Sequence, residues 1–129
     1  MKTRILIIDD EADFTHWMKR SLEARGHYEV VEENEPGRAV EMGREFGPDV
    51  VLLDVMMPEL DGSEVAARLQ RDPLLSGVPV LFLTALVSGR EAPAGCHSGG
   101  RTFLPKSIPL ATLMRCIDQC LSQPVALSA

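Results

Sequence analysis

No apolar run in the sequence is long enough to cross a bilayer. The aliphatic stretches at residues 5–8 (ILII) and 50–53 (VVLL) hold four residues each, whereas a spanning helix needs about 20. An export signal is not expected at the start either. Lys2 and Arg4 precede only four apolar residues before Asp9, short of the about 7–15 that a signal peptide carries. The chain is therefore expected in the cytoplasm, with no membrane partner. There its three cysteines would stay free thiols. Cys116 and Cys120 stand four apart, but no histidine or second pair joins them, so packing is expected rather than zinc. His16, His27 and His97 are scattered, with no setting for a phosphohistidine. Positive charge is short too. Lys and Arg number 13 against 19 Asp and Glu, a net charge of −6, which argues against nucleic acid as a direct partner. What remains is an ordinary globular mix, 45% hydrophobic and 25% charged over 129 residues. That excludes disorder and fibrous repeats and fits one domain with a real core.

The apolar residues fall into an alternation. Residues 4–8 (RILII) stop abruptly at Asp9, Asp10 and Glu11. So short a β-branched run reads as a strand buried on both faces. Phe14, Trp17, Met18, Ser21 and Leu22 then recur at helical spacing, with Asp13 as the expected N-cap and Gly26 as the stop. Residues 28–31 read as a second, weaker strand. Pro36 suits the first turn of the next helix, which carries Val40, Gly43 and Phe46 on one face and closes at Gly47. A third buried strand at 49–53 ends in Asp54. After the loop VMMPELDG, Ser63 is the expected cap of a helix through Val65, Ala66 and Leu69, broken at Asp72 and Pro73. A fourth strand at 78–83 stops at Thr84. Residues 87–100 hold Gly89, Pro93, Gly95, Gly99 and Gly100. The alternation requires a helix there, and this composition makes it a weak, short or distorted one. A fifth strand at 102–104 leads to Pro105 and Lys106. Leu110, Leu113, Met114, Ile117 and Leu121 mark a final amphipathic helix. Residues 1–123 are expected to form the domain and 124–129 a tail without signal.

Five strand–helix alternations with apolar strands mean a doubly wound parallel sheet with helices on both faces. Ligands of such sheets sit beyond the carboxyl ends of the strands. The strand ends of this chain carry Asp9 and Asp10, Asp54, Thr84 and, just beyond the fifth, Lys106. In parallel strands these groups share one rim. Carboxylates gathered there repel one another unless a cation sits among them, and hard oxygen ligands suit Mg²⁺. A lysine and a hydroxyl bind phosphoryl oxygens, and a carboxylate attacks phosphorus to give an acyl phosphate.

These residues resemble the receiver domain of two-component response regulators. The resemblance is carried by IIDDE, LLDVMMPELDG, VPVLFLTA and FLPKS in one order, and covers roughly residues 3–122. It implies the flavodoxin-like strand order 2-1-3-4-5. It implies Asp54 as phosphoacceptor, and Mg²⁺ held by Asp9, Asp10, Asp54 and the backbone carbonyl of Met56. Thr84 and Lys106 would bind the phosphoryl group. Phe103 would be the switch aromatic that follows Thr84, and the small Ala85 would leave the site open to its donor. The donor would be a histidine kinase or histidine phosphotransfer protein, and the signal would pass to a downstream protein without separate enzymatic turnover. Two features differ from the usual pattern: Ser107 replaces the proline after the lysine, and residues 88–100 lack the helical pattern. Without proline a cis bond costs about 3–4 kcal/mol, so Lys106–Ser107 is expected to be trans.

Taken singly, each residue has a plainer reading. Acids after a strand are often a solvated loop or a turn cap, Thr84 an ordinary strand threonine, Lys106 a surface lysine and Phe103 plain core. Their register together favours the phosphoryl site. Two other classes stand beside it. Phosphohydrolases of the haloacid dehalogenase type share Asp, Thr, Lys and an acid pair. They carry a second Asp two residues after the nucleophile, where this chain has Met56, and their nucleophile lies on the first strand. The alternative of a receiver-like interaction module that signals without phosphorylation stays open. The chain is expected to be a stand-alone receiver or one excised from a longer protein, with no output domain after its last helix.

Overall fold

The computed structural model describes residues 2–58, 60–85, 96–98 and 101–122. In chain order these give β1 (Thr3–Ile8), α1 (Ala12–Glu23), β2 (Tyr28–Glu33) and a 3₁₀ turn (Pro36–Arg38) running into α2 (Ala39–Phe46). Then come β3 (Val50–Asp54), α3 (Gly62–Arg71), β4 (Val80–Thr84), β5 (Cys96–Ser98), β6 (Arg101–Pro105) and α4 (Leu110–Ser122).

The sheet runs β2-β1-β3-β4-β6-β5. Strands β2, β1, β3, β4 and β6 are parallel, and they stand in the expected 2-1-3-4-5 order. Strand β5 is an addition, paired antiparallel to β6 at the sheet edge. It corrects the expectation of a helix for its three residues. A glycine-rich segment holds a helix poorly, and here it turns back to cover the open edge of β6 instead. The rest of the segment expected to be a weak helix (87–95 and 99–100) lies outside the described residues, as does the tail at 124–129.

Alternate residues of the parallel strands feed two cores. Ile5, Ile7, Val50, Leu52, Leu81 and Leu83 pack with α1 and α4, through Met18, Leu22, Leu113 and Ile117. Leu6, Ile8, Val51, Leu53 and Phe82 pack on the opposite face with α2 and α3, through Ala39, Phe46, Val65 and Leu69. This explains the continuous apolar runs: a strand covered on both faces has no side left for polar residues. Cys116 belongs to the first core, Cys120 packs against it, and both are free thiols, as expected. Burial pushes both thiols up, which makes them poor nucleophiles.

The helix ends place the loops. Gly47 adopts φ 68° and closes α2, a left-handed turn that glycine makes without strain. Asp61, not Ser63, caps α3: its Oδ1 accepts from the Glu64 N–H at 3.1 Å. The position before α1 is Glu11 rather than Asp13, and its side chain makes no cap bond. Asp72 ends α3 and ties it to α2, accepting from the Arg44 guanidinium at 2.6 Å and from the Leu74 N–H at 2.9 Å. That pairing holds its carboxyl below the usual range.

Candidate functional site

The register of the parallel strands brings their carboxyl ends to one rim. Ile8 stands beside Leu53, Asp54 beside Leu83, and Thr84 beside Pro105. Backbone bonds carry the pairing one residue further. Asp9 N–H donates to Glu33 at 3.1 Å, Val55 N–H to Leu83 at 3.0 Å and Lys106 N–H to Thr84 at 2.9 Å. Asp9, Asp54 and Thr84 are therefore buried at 1%, 4% and 4% exposure, while Asp10 faces solvent.

The charged groups converge. Lys106 Nζ lies 2.8 Å from Asp9 Oδ2, 3.0 Å from Glu11 Oε1 and 3.5 Å from Asp54 Oδ1. Its ammonium also sits 4.8 Å above the centre of the Phe14 ring, a favourable cation–π placement. Asp9, Asp10 and Asp54 each offer a carboxylate oxygen within 4.8 Å of the others. One ammonium thus serves three acids, Asp9, Glu11 and Asp54. The buried Asp9 Oδ2 meets the ammonium as an ion pair without an aligned hydrogen bond. Burial and the Asp9 charge push the Asp54 carboxyl up to about 6, against the opposing pull of Lys106 and the Met56 N–H. Burial likewise raises Asp9, despite the opposing pull of the Lys106 ammonium and the bond from the Glu11 N–H. For Lys106 burial works against the ammonium, but the Asp9 and Glu11 carboxylates outweigh it and hold the lysine protonated above its ordinary range. Three close carboxylates, one with an oxygen short of donors, fit a hard divalent cation such as Mg²⁺.

The supports around this cluster are specific. Asn34 Nδ2 donates to the Asp9 carbonyl at 2.8 Å and to the Thr15 hydroxyl at 3.0 Å. That hydroxyl donates in turn to Glu32 Oε1 at 2.7 Å, so β2 braces the turn after β1. Gly62 N–H donates to the Val55 carbonyl at 2.9 Å. A Cβ on Gly62 would lie 2.5 Å from the Asp54 carbonyl oxygen, so only glycine lets α3 start this close to the end of β3. Phe103 is half-buried and stacks on Phe82 with ring centres 4.9 Å apart. Ala85 is exposed next to Thr84, and the Met56 side chain points outward at 58% exposure. The peptide bond after Lys106 is trans, as expected of a serine.

All the residues that the sequence marked for the rim are there together. Two more belong with them. Glu11 reads in the sequence only as the third of three acids, and Phe14 only as a helix core position. Their contact with Lys106 depends on its side chain reaching from the loop after β6 across the rim to the turn after β1, which no local pattern records.

Comparison with known proteins agrees with this geometry. The family model of the response regulator receiver domain matches residues 5–118. PilH of Pseudomonas aeruginosa is 34% identical over 119 residues, covering 92% of this chain and 98% of PilH. The response regulator MprA of Mycobacterium ulcerans is 39% identical over 114 residues, covering 88% of this chain and 48% of MprA, so the chain spans about half of that relative. The crystal structure of a response regulator from Chloroflexus aurantiacus matches with a TM-score of 0.79 at 26% identity, covering 95% of this chain and 100% of that one. With most of its length matched by the family model and by a relative of nearly equal length, the chain belongs to the receiver domain family of response regulators.

Proposed function

We propose that this receiver is the phosphoacceptor of a cytoplasmic two-component phosphorelay, phosphorylated on Asp54 in a Mg²⁺-dependent reaction. The observation that carries the reading is the placement of the Asp54 carboxylate. It is buried, crowded by Asp9 and faced by the Lys106 ammonium at 3.5 Å. A buried carboxylate with raised basicity is a better nucleophile toward phosphorus than an exposed one. An Asp54 oxygen forms the bond to phosphorus as the bond from phosphorus to the donor breaks, leaving an acyl phosphate. Asp9, Asp10 and Asp54, with the Met56 carbonyl, would hold Mg²⁺. When bound, that ion neutralises charge on the transferring group. Lys106 binds one phosphoryl oxygen and Thr84 another, and Ala85 leaves the approach open.

The donor is a histidine kinase or a histidine phosphotransfer protein. The output is a shape change: Thr84 moves toward the phosphoryl group and Phe103 shifts in its stacking on Phe82, biasing a two-state surface that a downstream protein reads. The chain performs this one transfer on itself and turns over no separate substrate. Incubation with acetyl phosphate and Mg²⁺ followed by intact mass measurement tests the reading. A gain of one phosphoryl group that vanishes when the metal is chelated is expected. No gain with Mg²⁺ present would favour a module that signals without phosphate.

A further inference from the structure

The Lys106 ammonium has three protons and three carboxylate neighbours. Its contacts to Asp9 (2.8 Å) and Glu11 (3.0 Å) are short, and that to Asp54 is the longest at 3.5 Å. The stem of the lysine is fixed, with its side chain 15% exposed and the ammonium over Phe14. The two short partners differ in kind. Asp9 is buried and also accepts from the Glu11 N–H, so losing the ammonium would leave a charge in the interior. The Glu11 side chain is 65% exposed, and water replaces an ammonium there at little cost. A phosphoryl group on Asp54 would bring new acceptor oxygens to the side of the ammonium where the contact is longest. To bind one, Lys106 must give up a short contact, and Glu11 is the one that can be given up.

We propose that Glu11 is a positioning residue, holding the Lys106 ammonium in the unphosphorylated protein and releasing it when a phosphoryl group arrives at Asp54. This rests on the reading of Asp54 as phosphoacceptor. Because the Glu11–Lys106 contact exists only before transfer, it stabilises the starting state and not the transition state. The Glu11 charge also repels the incoming anionic donor. Both effects slow loading. In the loaded form and in its hydrolysis the ammonium already sits on the phosphoryl group, so the lifetime of the phosphoaspartate is unaffected by Glu11.

The test compares wild type with E11Q, E11D and E11N, each as the full chain at saturating Mg²⁺ and low ionic strength, with acetyl phosphate as donor. The rate of mass gain and, after donor removal, the rate of its loss are followed separately. E11Q should load roughly two- to fivefold faster, the span expected for an exposed ion pair, with an unchanged rate of loss. E11D should restore the wild-type loading rate, since it keeps the charge. E11N supplies a good helix cap without charge, and should behave like E11Q; wild-type behaviour of E11N would mean that Glu11 only shapes the start of α1. The gain of E11Q should shrink in about 1 M salt, where charges are screened within about 3 Å. Equal or slower loading of E11Q, or loading and loss changing together, would overturn the role of Glu11 alone. A wild type that gains no phosphoryl group would overturn the Asp54 reading and this inference with it.

Discussion

Asp54 concentrates the conflict in this chain. Its carboxyl is pushed up to about 6 by burial and by the Asp9 charge, against about 3.9 for an exposed aspartate. The sign of the consequence follows from linkage. Between those values the folded state binds a proton that the unfolded state has released, so metal-free stability falls as pH rises through this window. The penalty is complete above pH 6. Asp54→Asn removes that penalty and keeps the shape. It should stabilise the metal-free protein at pH 7 by about 1–3 kcal/mol, and by much less at pH 4. Denaturant unfolding with a chelator present measures this, and a variant less stable than wild type at pH 7 would contradict it. On this account the buried Asp54 charge is held at the expense of stability, as charged sites often are.

The elements were legible wherever burial is two-sided and turn chemistry is local. The runs ending in Asp9, Asp54 and Thr84 are strands because both faces are covered, and Gly47 and Asp72 end helices where their chemistry requires it. Three features escaped: the start of α1, which lies at Glu11 rather than Asp13, the cap of α3 and strand β5. The cap of α3 is Asp61 rather than Ser63: both residues are good caps, and the packing of Gly62 against the Asp54 carbonyl decides between them. Strand β5 exists only because β6 offers an edge, and a three-residue pairing leaves no periodicity to read. Gly62 also gives the sharpest test of how α3 positions Asp54. Gly62→Ala places a Cβ 2.5 Å from the Asp54 carbonyl oxygen, and either α3 or the loop must shift. The variant should lose about 1–3 kcal/mol and bind Mg²⁺ more weakly, because the shift moves Asp54. Melting and Mg²⁺ titration together check both parts; wild-type values in both would show that the close approach is not needed.

The whole molecule carries a net charge of −6, and among the described residues Asp9, Asp10 and Asp54 gather at the rim. The rim was legible as residue types at strand ends, since parallel strands carry their carboxyl ends to one side. Its resting ion pairs were not, since Glu11 and Lys106 are far apart in sequence. Mg²⁺ should relieve the imbalance and raise stability in proportion to occupancy, by about 2.7 kcal/mol at a hundredfold excess over its dissociation constant. Protons compete for the same oxygens, so this gain should fade as pH drops through 6. Asp72, held low by Arg44, acts with the opposite sign: its contribution is present above about pH 4 and is lost as pH falls through its folded value. Melting curves from about pH 2 to 8 with and without Mg²⁺ separate the two, and a Mg²⁺ shift independent of pH would argue against carboxylate binding at the rim.

The most direct measurement is the location of the phosphoryl group. Wild type and Asp54→Asn are exposed to acetyl phosphate and Mg²⁺ under identical conditions, and the added mass is mapped to a peptide. The account predicts one phosphoryl group in the wild type, on the peptide that carries Asp54, and none in the variant. The same gain at the same rate in Asp54→Asn, or a phosphoryl group mapped elsewhere in the wild type, would contradict it.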